Sequence, residues 1–217
     1  MKILALDFSS PRRSAAVGDD RNGIHEIAAP RSGPEMRPFD LIESALRAAT
    51  MRREDIEVLA VGIGPGSYTG IRVAIALAQG WHLATGVKLL GINSVECMAA
   101  QIAACRAAGA FQVVVDAQRG EFYRAGYVIG NGMAQMVAPL KISSRAEVEH
   151  HAHAGDAIAG PDVTRWFPQG EDCFPSAATL VRLAATRMDF VAAESLAPIY
   201  LRETAFVKGP TPQRGPV

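Results

Sequence analysis

The sequence predicts an α/β fold made of two copies of one β-β-β-α-β-α unit, of which the second is reduced. The apolar run KILALD ends at Asp7, and the similar run FQVVVD ends at Asp116, about half of the 217-residue chain further on. A turn and further strand-like segments follow each run, as expected of a duplicated unit. We therefore predict a first lobe at 1–109, completed by 190–208, a second lobe at 110–189 and a flexible tail at 209–217.

Strands and helices are predicted to alternate in the first lobe. KILALD, SAAVG and GIHEIAA indicate three strands. Apolar residues then recur at helical spacing over 39–50, with Pro38 in the first turn, where a helix tolerates proline. IEVLAVGIG lacks alternation, which favours a strand between parallel neighbours. A helix at about 70–85, a strand at KLLGI and a helix ending at Gly109 complete the lobe.

The second lobe reads as a weaker copy. FQVVVD, EFYRAGYVI and MAQMV predict three strands, the last two joined by the hairpin signal Asn131-Gly132. Residues 143–166 have weak periodicity, which is the reason for predicting a reduced lobe. DAIAG predicts a further strand and SAATLVRLAATRM a helix.

Composition is that of an ordinary soluble globular protein, with 49% hydrophobic and 20% charged residues. Twenty-two basic residues balance 22 acidic ones, so no overall charge draws the chain to nucleic acid or to an anionic membrane. The three cysteines form no C-x-x-C pair, which argues against a disulfide framework or a structural zinc site. No signal peptide or membrane helix is evident, and we expect a cytoplasmic protein.

The segment GIGPGSYTG, residues 62–70, separates a predicted strand from a predicted helix, as phosphate-binding loops do. A Walker A loop requires Lys and Ser or Thr after its last glycine, whereas Ile71 and Arg72 stand here. The dinucleotide pattern G-x-G-x-x-G is not completed in either frame. We therefore favour an architectural role, with Ser67 or Thr69 capping the helix. The predicted structural loop consists of Gly62, Gly64, Pro65, Gly66, Ser67, Thr69 and Gly70.

The run LDFSS stands where sugar kinases and actin-like ATPases have Asp-x-Gly-Thr/Ser. That glycine lets the backbone fold over the phosphates, and this chain has none in the segment. We predict a vestigial nucleotide site that holds nucleotide weakly. Its candidate residues are Asp7, Ser9, Ser10 and Asp116.

Three histidines, His150, His151 and His153, are close enough in sequence to suggest a metal site. No carboxylate or cysteine at motif spacing completes a ligand set, so we interpret the run as a solvated polar stretch and predict no metal. No serine stands in a G-x-S-x-G frame either, and no protease activity is expected.

Four blocks together resemble the TsaB family, also called YeaZ, across nearly the whole chain. They are KILALDFSS, GIGPGSYTGIR, DAQRGEFYRAGY, and PIYLR followed by Lys208. The resemblance implies an actin-like, Hsp70-type fold of two lobes. It also implies a role in making N6-threonylcarbamoyladenosine (t6A) at position 37 of tRNA.

Within that pathway, the resemblance implies a non-catalytic subunit. Its partner would be TsaD, the paralogue that holds the metal and transfers the threonylcarbamoyl group, and TsaE, a P-loop ATPase, would join them. TsaD-like proteins carry an H-x-x-x-H metal pair on the first long helix, and this chain has no histidine between His25 and His82. We expect no intrinsic cofactor, weak ATP or ADP binding at most at a partner interface, and tRNA contact only through the complex.

The second predicted helix is apolar nearly all round, which indicates burial on two sides. We predict that one side packs on its own sheet and the other, beside the first helix, on a partner. Glutamate at Ala74 or Ala78 is expected to abolish pairing and leave the chain folded. The predicted interface comprises Phe39, Ile42, Ala45, Ala49, Ile71, Ala74, Ile75, Ala78 and Trp81.

Two other functions are compatible with these features. A nucleotide-binding, kinase-like enzyme for a small molecule would use the same fold, although the missing glycine near Asp7 argues against it. A freestanding homodimeric scaffold would use the same apolar helix, and would differ in not exchanging subunits with TsaD.

Overall fold

The computed structural model describes residues 1–19, 23–30 and 36–201. The first half of the chain contains β1 (Ile3–Asp7), β2 (Ser14–Asp19), β3 (Gly23–Ala28), α1 (Pro38–Ala48), β4 (Val58–Gly62), α2 (Tyr68–Thr85), β5 (Lys88–Ile92) and α3 (Ser94–Cys105). The second half contains β6 (Gly109–Asp116), β7 (Glu121–Gly130), β8 (Met133–Ser144), α4 (Arg145–His153), β9 (Ala157–Gly160), β10 (Glu171–Asp172) and α5 (Ala177–Ala184). The predicted tail at 209–217 lies outside the described residues.

The two halves form sheets of equivalent topology. The first sheet has the order β3-β2-β1-β4-β5 and the second the order β8-β7-β6-β9-β10. In each sheet the first three strands pair antiparallel, and the fourth and fifth run parallel to the first. The duplicated two-lobe α/β fold predicted from the sequence is confirmed.

The second lobe is reduced, as predicted. In the first lobe, the connection between the fourth and fifth strands is α2, a helix of 18 residues. The equivalent connection in the second lobe contains a 3-10 helix of three residues, Val163–Arg165. Its fifth strand, β10, is only two residues long. The second sheet therefore lacks a counterpart of α2.

The central strands of the first sheet are buried on both faces. Every residue of β1 and β4 is buried, which matches their unbroken apolar sequences. Leu4 and Leu6 pack on one face with α1 and α2. Ile3 and Ala5 pack on the opposite face with α5. The lobe thus has three layers, with helices on either side of the sheet.

The last helix of each unit packs on the sheet of the other unit. The apolar residues of α3 form a core with β6 and β7 of the second sheet. The apolar residues of α5 form a core with β1 and β4 of the first sheet. Residue 109 lies between the two sheets, and α3 and α5 each pack on the sheet of the other unit, because sequence order does not show which sheet covers a helix.

The end of the described chain lies against the first lobe. Val191 forms a bridge with Leu89 of β5, and Leu196 is buried in the core beneath α1 and α2. The backbone N–H of Ile199 donates to the carbonyl of Ile63 at 3.0 Å. These contacts connect the segment to β5 and to the glycine loop.

Several element boundaries differ from the prediction, for example that of β8, which extends to Ser144. Helix α3 ends at Cys105, and Gly109 begins β6 with φ of 126° instead of capping the helix. The histidine run, interpreted from the sequence as a solvated polar stretch, lies at the end of α4 (Arg145–His153). A capping box at its start, in which Ser144 and Glu147 bond each other's backbone N–H, was readable as S-x-x-E.

Candidate functional site

The glycine loop packs directly on the turn that follows β1. A Cβ at Gly66 would lie 2.0 Å from the carbonyl oxygen of Ser9, and one at Gly70 would lie 2.0 Å from that of Phe8. Because these distances are far below van der Waals contact, only glycine fits at either position. The N–H of Ser67 donates to the carbonyl of Ser9 at 2.7 Å. The loop and the β1 turn are thus in backbone contact.

The same loop fixes the starts of two helices. Ser67 caps α2, its Oγ accepting from the N–H of Gly70 at 3.3 Å. Gly64, which precedes Pro65 through a cis peptide bond, accepts from the N–H of Ser94 at 2.8 Å. Ser94 begins α3. Thr69, the other predicted cap, is exposed in the first turn of α2 and does not cap it.

Asp7 is a buried structural carboxylate. It is fully buried, and its Oδ1 accepts from the N–H of Ser9 at 2.9 Å and from the Oγ of Ser9 at 2.7 Å. The Oγ of Ser94 donates to its Oδ2 at 3.3 Å. A Cβ at Gly62 would lie 2.0 Å from Oδ2, so glycine leaves room for the carboxylate. Burial raises the pKa of Asp7 to about 6, while the bonds from Ser9 and Ser94 oppose the rise.

A cleft of about 550 Å³ lies between the two lobes. Three of the four predicted nucleotide-site residues, Ser9, Ser10 and Asp116, line it, whereas Asp7 lies beneath the turn and does not. Tyr123, Trp166 and Arg165 contribute aromatic and cationic surface from the second lobe. Asp116 is therefore the one carboxylate of the predicted nucleotide site that lines the cleft.

Asp116, the counterpart of Asp7, is bonded to its own turn. Its Oδ1 accepts from the N–H of Gln118 at 2.7 Å, and its Oδ2 accepts from the side-chain amide of Gln118 at 3.3 Å. Gln118 and Arg119 have φ of 66° and 60°, a conformation that favours glycine. Gln118 therefore stands two residues after Asp116, where the Asp-x-Gly-Thr/Ser pattern has its glycine.

The histidine run lies on α4, away from the cleft. His150 and His151 line a separate cavity, and the Nδ1 of His151 is 3.1 Å from Oδ2 of Asp156. Within 1–19, 23–30 and 36–201, no group of three or more His, Cys, Asp or Glu side chains is placed to hold a metal. His153 is exposed and does not line that cavity.

Most residues of the predicted partner interface are buried in the core of their own lobe. Phe39 is 56% exposed and Trp81 is partly buried, so only these two retain exposed surface. The periodicity was correctly read as helical, but an apolar helix does not show which side is covered. The buried residues are Ile42, Ala45, Ala49, Ile71, Ala74, Ile75 and Ala78.

The opposite side of α2 is apolar and faces outward. Leu83 is 88% exposed, more than any other large hydrophobic residue in the described part of the chain. Ala76, Gly80 and Ala84 recur every four residues and are exposed, and a Cβ at Gly80 would meet nothing within 4 Å. The sequence predicted close helix contact at Ala74, Ala78 and Ala84; of these three small residues only Ala84 lies on the exposed side. We define the α2 outer face as Val73, Ala76, Leu77, Gly80, Leu83 and Ala84.

Among the described residues, no helix has the length and apolar character needed to cross a membrane.

Comparison with known proteins places the chain in a family. The family model described as "TsaD: tRNA N6-adenosine threonylcarbamoyltransferase" matches residues 37–199. A protein of Escherichia coli (strain K12) named "tRNA threonylcarbamoyladenosine biosynthesis protein TsaB" is 28% identical, over 93% of this chain and 95% of its own length. The chain belongs to this family, in its TsaB (YeaZ) branch.

Two further proteins are similar to the chain over most of its length. An uncharacterized protein of Mycobacterium tuberculosis (strain ATCC 25618 / H37Rv) is 33% identical, over 92% of this chain and 91% of its own length. The solved structure titled "YeaZ from Pseudomonas aeruginosa" superposes with a TM-score of 0.77 at 22% identity, covering 92% of this chain and 99% of that one. The predicted actin-like, two-lobe fold is therefore shown.

The contact between the glycine loop and the β1 turn predicts opposite effects for two glycines of α2. Gly70→Ala places a methyl group against the carbonyl of Phe8, and we expect a loss of about 3 kcal/mol or more in the free energy of unfolding. Gly80→Ala is the control, because it meets open space and should gain about 1 kcal/mol from helix propensity. Urea unfolding of dilute chain measures both. Equal effects of the two substitutions would contradict the proposed role of the loop.

The buried carboxylate predicts a pH-dependent loss of stability. A rise in the pKa of Asp7 from 3.8 to about 6 corresponds to about 3 kcal/mol against the charged form at neutral pH. The folded state binds the proton on Asp7 more tightly than the unfolded state does. The protonated carboxyl therefore contributes to the free energy of unfolding below about pH 4, and this contribution is lost as the pH rises through about 6.

Asp7→Asn removes the titrating group while keeping an acceptor for Ser9. The quantity to compare is the free energy of unfolding of the wild-type chain minus that of the variant. We expect this difference to fall by about 3 kcal/mol between about pH 4 and 7. Urea unfolding at a series of pH values gives this difference. A difference that does not change with pH would show that Asp7 is not destabilised in its charged form.

Proposed function

We propose that the chain is a non-catalytic subunit of the complex that makes t6A at position 37 of tRNA. In this proposal it pairs with a TsaD-like paralogue through the α2 outer face. The observation that supports the proposal most directly is the run of small and apolar residues exposed along α2. Membership of the TsaB branch, together with the name of the Escherichia coli relative, supports the pathway.

The α2 outer face has the properties of a helix-packing surface. Its small residues leave the backbone accessible, so a second helix can approach closely. Leu83 is exposed almost completely and Val73 and Leu77 in part, and burying them against a partner would stabilise a complex. Phe39, at the start of α1, adds a large exposed apolar side chain on the same lobe.

A paralogue is the partner that best fits this surface. Because the two proteins would share a fold, each can present the same helix, as two copies of one surface do in a symmetric dimer. The homodimer of the isolated chain would use the same face, and the TsaD-like partner would replace one copy. In this arrangement a TsaE-like P-loop ATPase joins the pair, any ATP or ADP is held weakly at a partner interface, and tRNA is contacted only through the complex.

The state of the first-strand carboxylate supports a subunit without its own transfer chemistry. Asp7 is bonded to Ser9 and Ser94 beneath the turn and does not line the cleft. The sequence also lacks the histidine pair that the resemblance associates with metal binding in TsaD. Transfer would therefore take place on the partner.

The cleft between the lobes is the observation that favours the alternative, a nucleotide-binding, kinase-like enzyme. Its volume would accommodate a nucleotide, and Ser9 and Asp116 line it. The β1 turn, however, has its Phe8 and Ser9 carbonyls against the glycine loop and contains no glycine of its own. Saturable Mg-ATP binding by the isolated chain in calorimetry, with phosphoryl transfer to a small molecule, would support this alternative over a subunit role.

The proposed interface predicts that a charge on the outer face prevents pairing. Ala76→Glu places a carboxylate in the centre of the apolar surface, and we expect at least tenfold weaker binding, about 1.4 kcal/mol or more. Light scattering after size-exclusion of the chain mixed with the TsaD-like paralogue of the same organism measures the complex. The wild-type chain should form a one-to-one complex at the expense of any homodimer.

Ala104→Glu is the matched control, because Ala104 is an exposed alanine near the end of another helix, α3. It should pair normally. Ala74→Glu, in contrast, puts a charge into the core and should unfold the chain. Normal pairing by Ala76→Glu would exclude the α2 outer face, and the absence of a complex with the wild-type chain would remove the proposed function.

A further inference from the structure

A buried arginine lies on the outer side of the second lobe. Arg124 is on β7, on the sheet face that α4 covers, and is 4% exposed. Its Nη1 donates to Oε1 of Gln112 at 2.7 Å, and its Nε donates to Oγ of Ser143 at 3.2 Å. Both acceptors are neutral, and within the described ranges no carboxylate forms a salt bridge with Arg124. A buried charge bonded only to neutral groups is unfavourable unless an anion compensates it.

The nearby carboxylates are engaged by other groups. Asp156 accepts from the side-chain amide of Gln112 at 2.8 Å and lies 3.1 Å from Nδ1 of His151. Glu147 accepts from the N–H of Ser144 at 2.7 Å and from Nζ of Lys141 at 3.1 Å. The Ser144 amide and Lys141 lower the pKa of Glu147 to about 2. Both carboxylates therefore have donors of their own, and among the described residues the charge of Arg124 has no direct counterion.

Arg124 borders a cavity of about 390 Å³, and four of the six residues that line it are Arg, Lys or His. The lining side chains include a guanidinium, an ammonium and two imidazoles, all of them groups that can donate hydrogen bonds, and Glu147 is the one carboxylate among them. Such a donor set matches an anion with several oxygens, because the planar guanidinium binds two of them at once. The lining residues, which we name the Arg124 cavity, are Arg124, Lys141, Ala146, Glu147, His150 and His151.

We propose that the Arg124 cavity binds a phosphate-class oxyanion, either free phosphate or the phosphoryl group of a small organic ester. The anion would compensate the buried guanidinium, with Lys141 and His150 completing its contacts from the rim. This site is on the second lobe, whereas the proposed partner surface is on α2 of the first lobe. The two proposals can therefore fail separately.

Calorimetric titration of the full chain with inorganic phosphate tests the proposal, in a chloride buffer at neutral pH. We expect saturable binding by the wild-type chain, and about fivefold or greater weakening by Lys141→Ala and by His150→Gln, since both remove a donor from the rim. These side chains are exposed, so the variants should fold. His153→Gln is the matched control, because His153 is on the same helix but does not line the cavity, and it should bind normally.

Two further measurements make the test sharper. Arg124→Met should abolish binding and raise the melting temperature in phosphate-free buffer, because it removes the uncompensated charge. Titration with adenosine monophosphate distinguishes a phosphate ester from free phosphate as the ligand. If the chain binds adenosine monophosphate more tightly than phosphate, the ligand is an organic ester; if it binds it equally or more weakly, the ligand is the free ion. No saturable binding up to about 10 mM phosphate, or equal binding by the wild-type chain and both rim variants, would overturn the proposal.

Discussion

The fold of the first lobe depends on the backbone contact between the glycine loop and the turn after β1. Gly66 and Gly70 bring two stretches of backbone so close that a methyl group at either would overlap a carbonyl oxygen. Gly62 leaves the space that the Asp7 carboxylate fills. The loop therefore holds protein where a phosphate-binding loop would hold a ligand. The same contact fixes the start of α2, and so decides which side of that helix faces outward.

The two lobes stabilise each other through their last helices. Helix α3 covers the second sheet and α5 covers the first, so neither sheet has a complete core from its own unit. Only the first lobe has a long helix, α2, between its fourth and fifth strands. The second lobe has a three-residue 3-10 helix in the equivalent place, between β9 and β10. Partner binding through α2 and anion binding near Arg124, both proposed above, would thus belong to different lobes.

The sequence predicted the duplication and the two-lobe fold because apolar strands ending at Asp7 and Asp116 recur with the same neighbours. It did not predict the outward side of α2. That helix is apolar nearly all round, and Ala74 and Ala78 repeat with the same four-residue spacing as Ala76 and Gly80. Only the packing of α2 on its sheet distinguishes the two sides. The Arg124 cavity could not be predicted from the sequence either, because the residues that line it come from separate strands and from α4.

In the proposed function, the chain supplies the α2 outer face for binding, while its TsaD-like partner carries out the threonylcarbamoyl transfer. The most direct measurement is t6A in tRNA, by mass spectrometry of nucleosides, after reaction with the TsaD-like and TsaE-like proteins of the same organism and threonylcarbamoyl adenylate. The account predicts t6A only when this chain accompanies the TsaD-like protein, none with the chain alone, and undiminished t6A when Asp116→Asn replaces the cleft carboxylate. Formation of t6A by the chain alone, full activity without it, or loss of activity in Asp116→Asn would contradict the account.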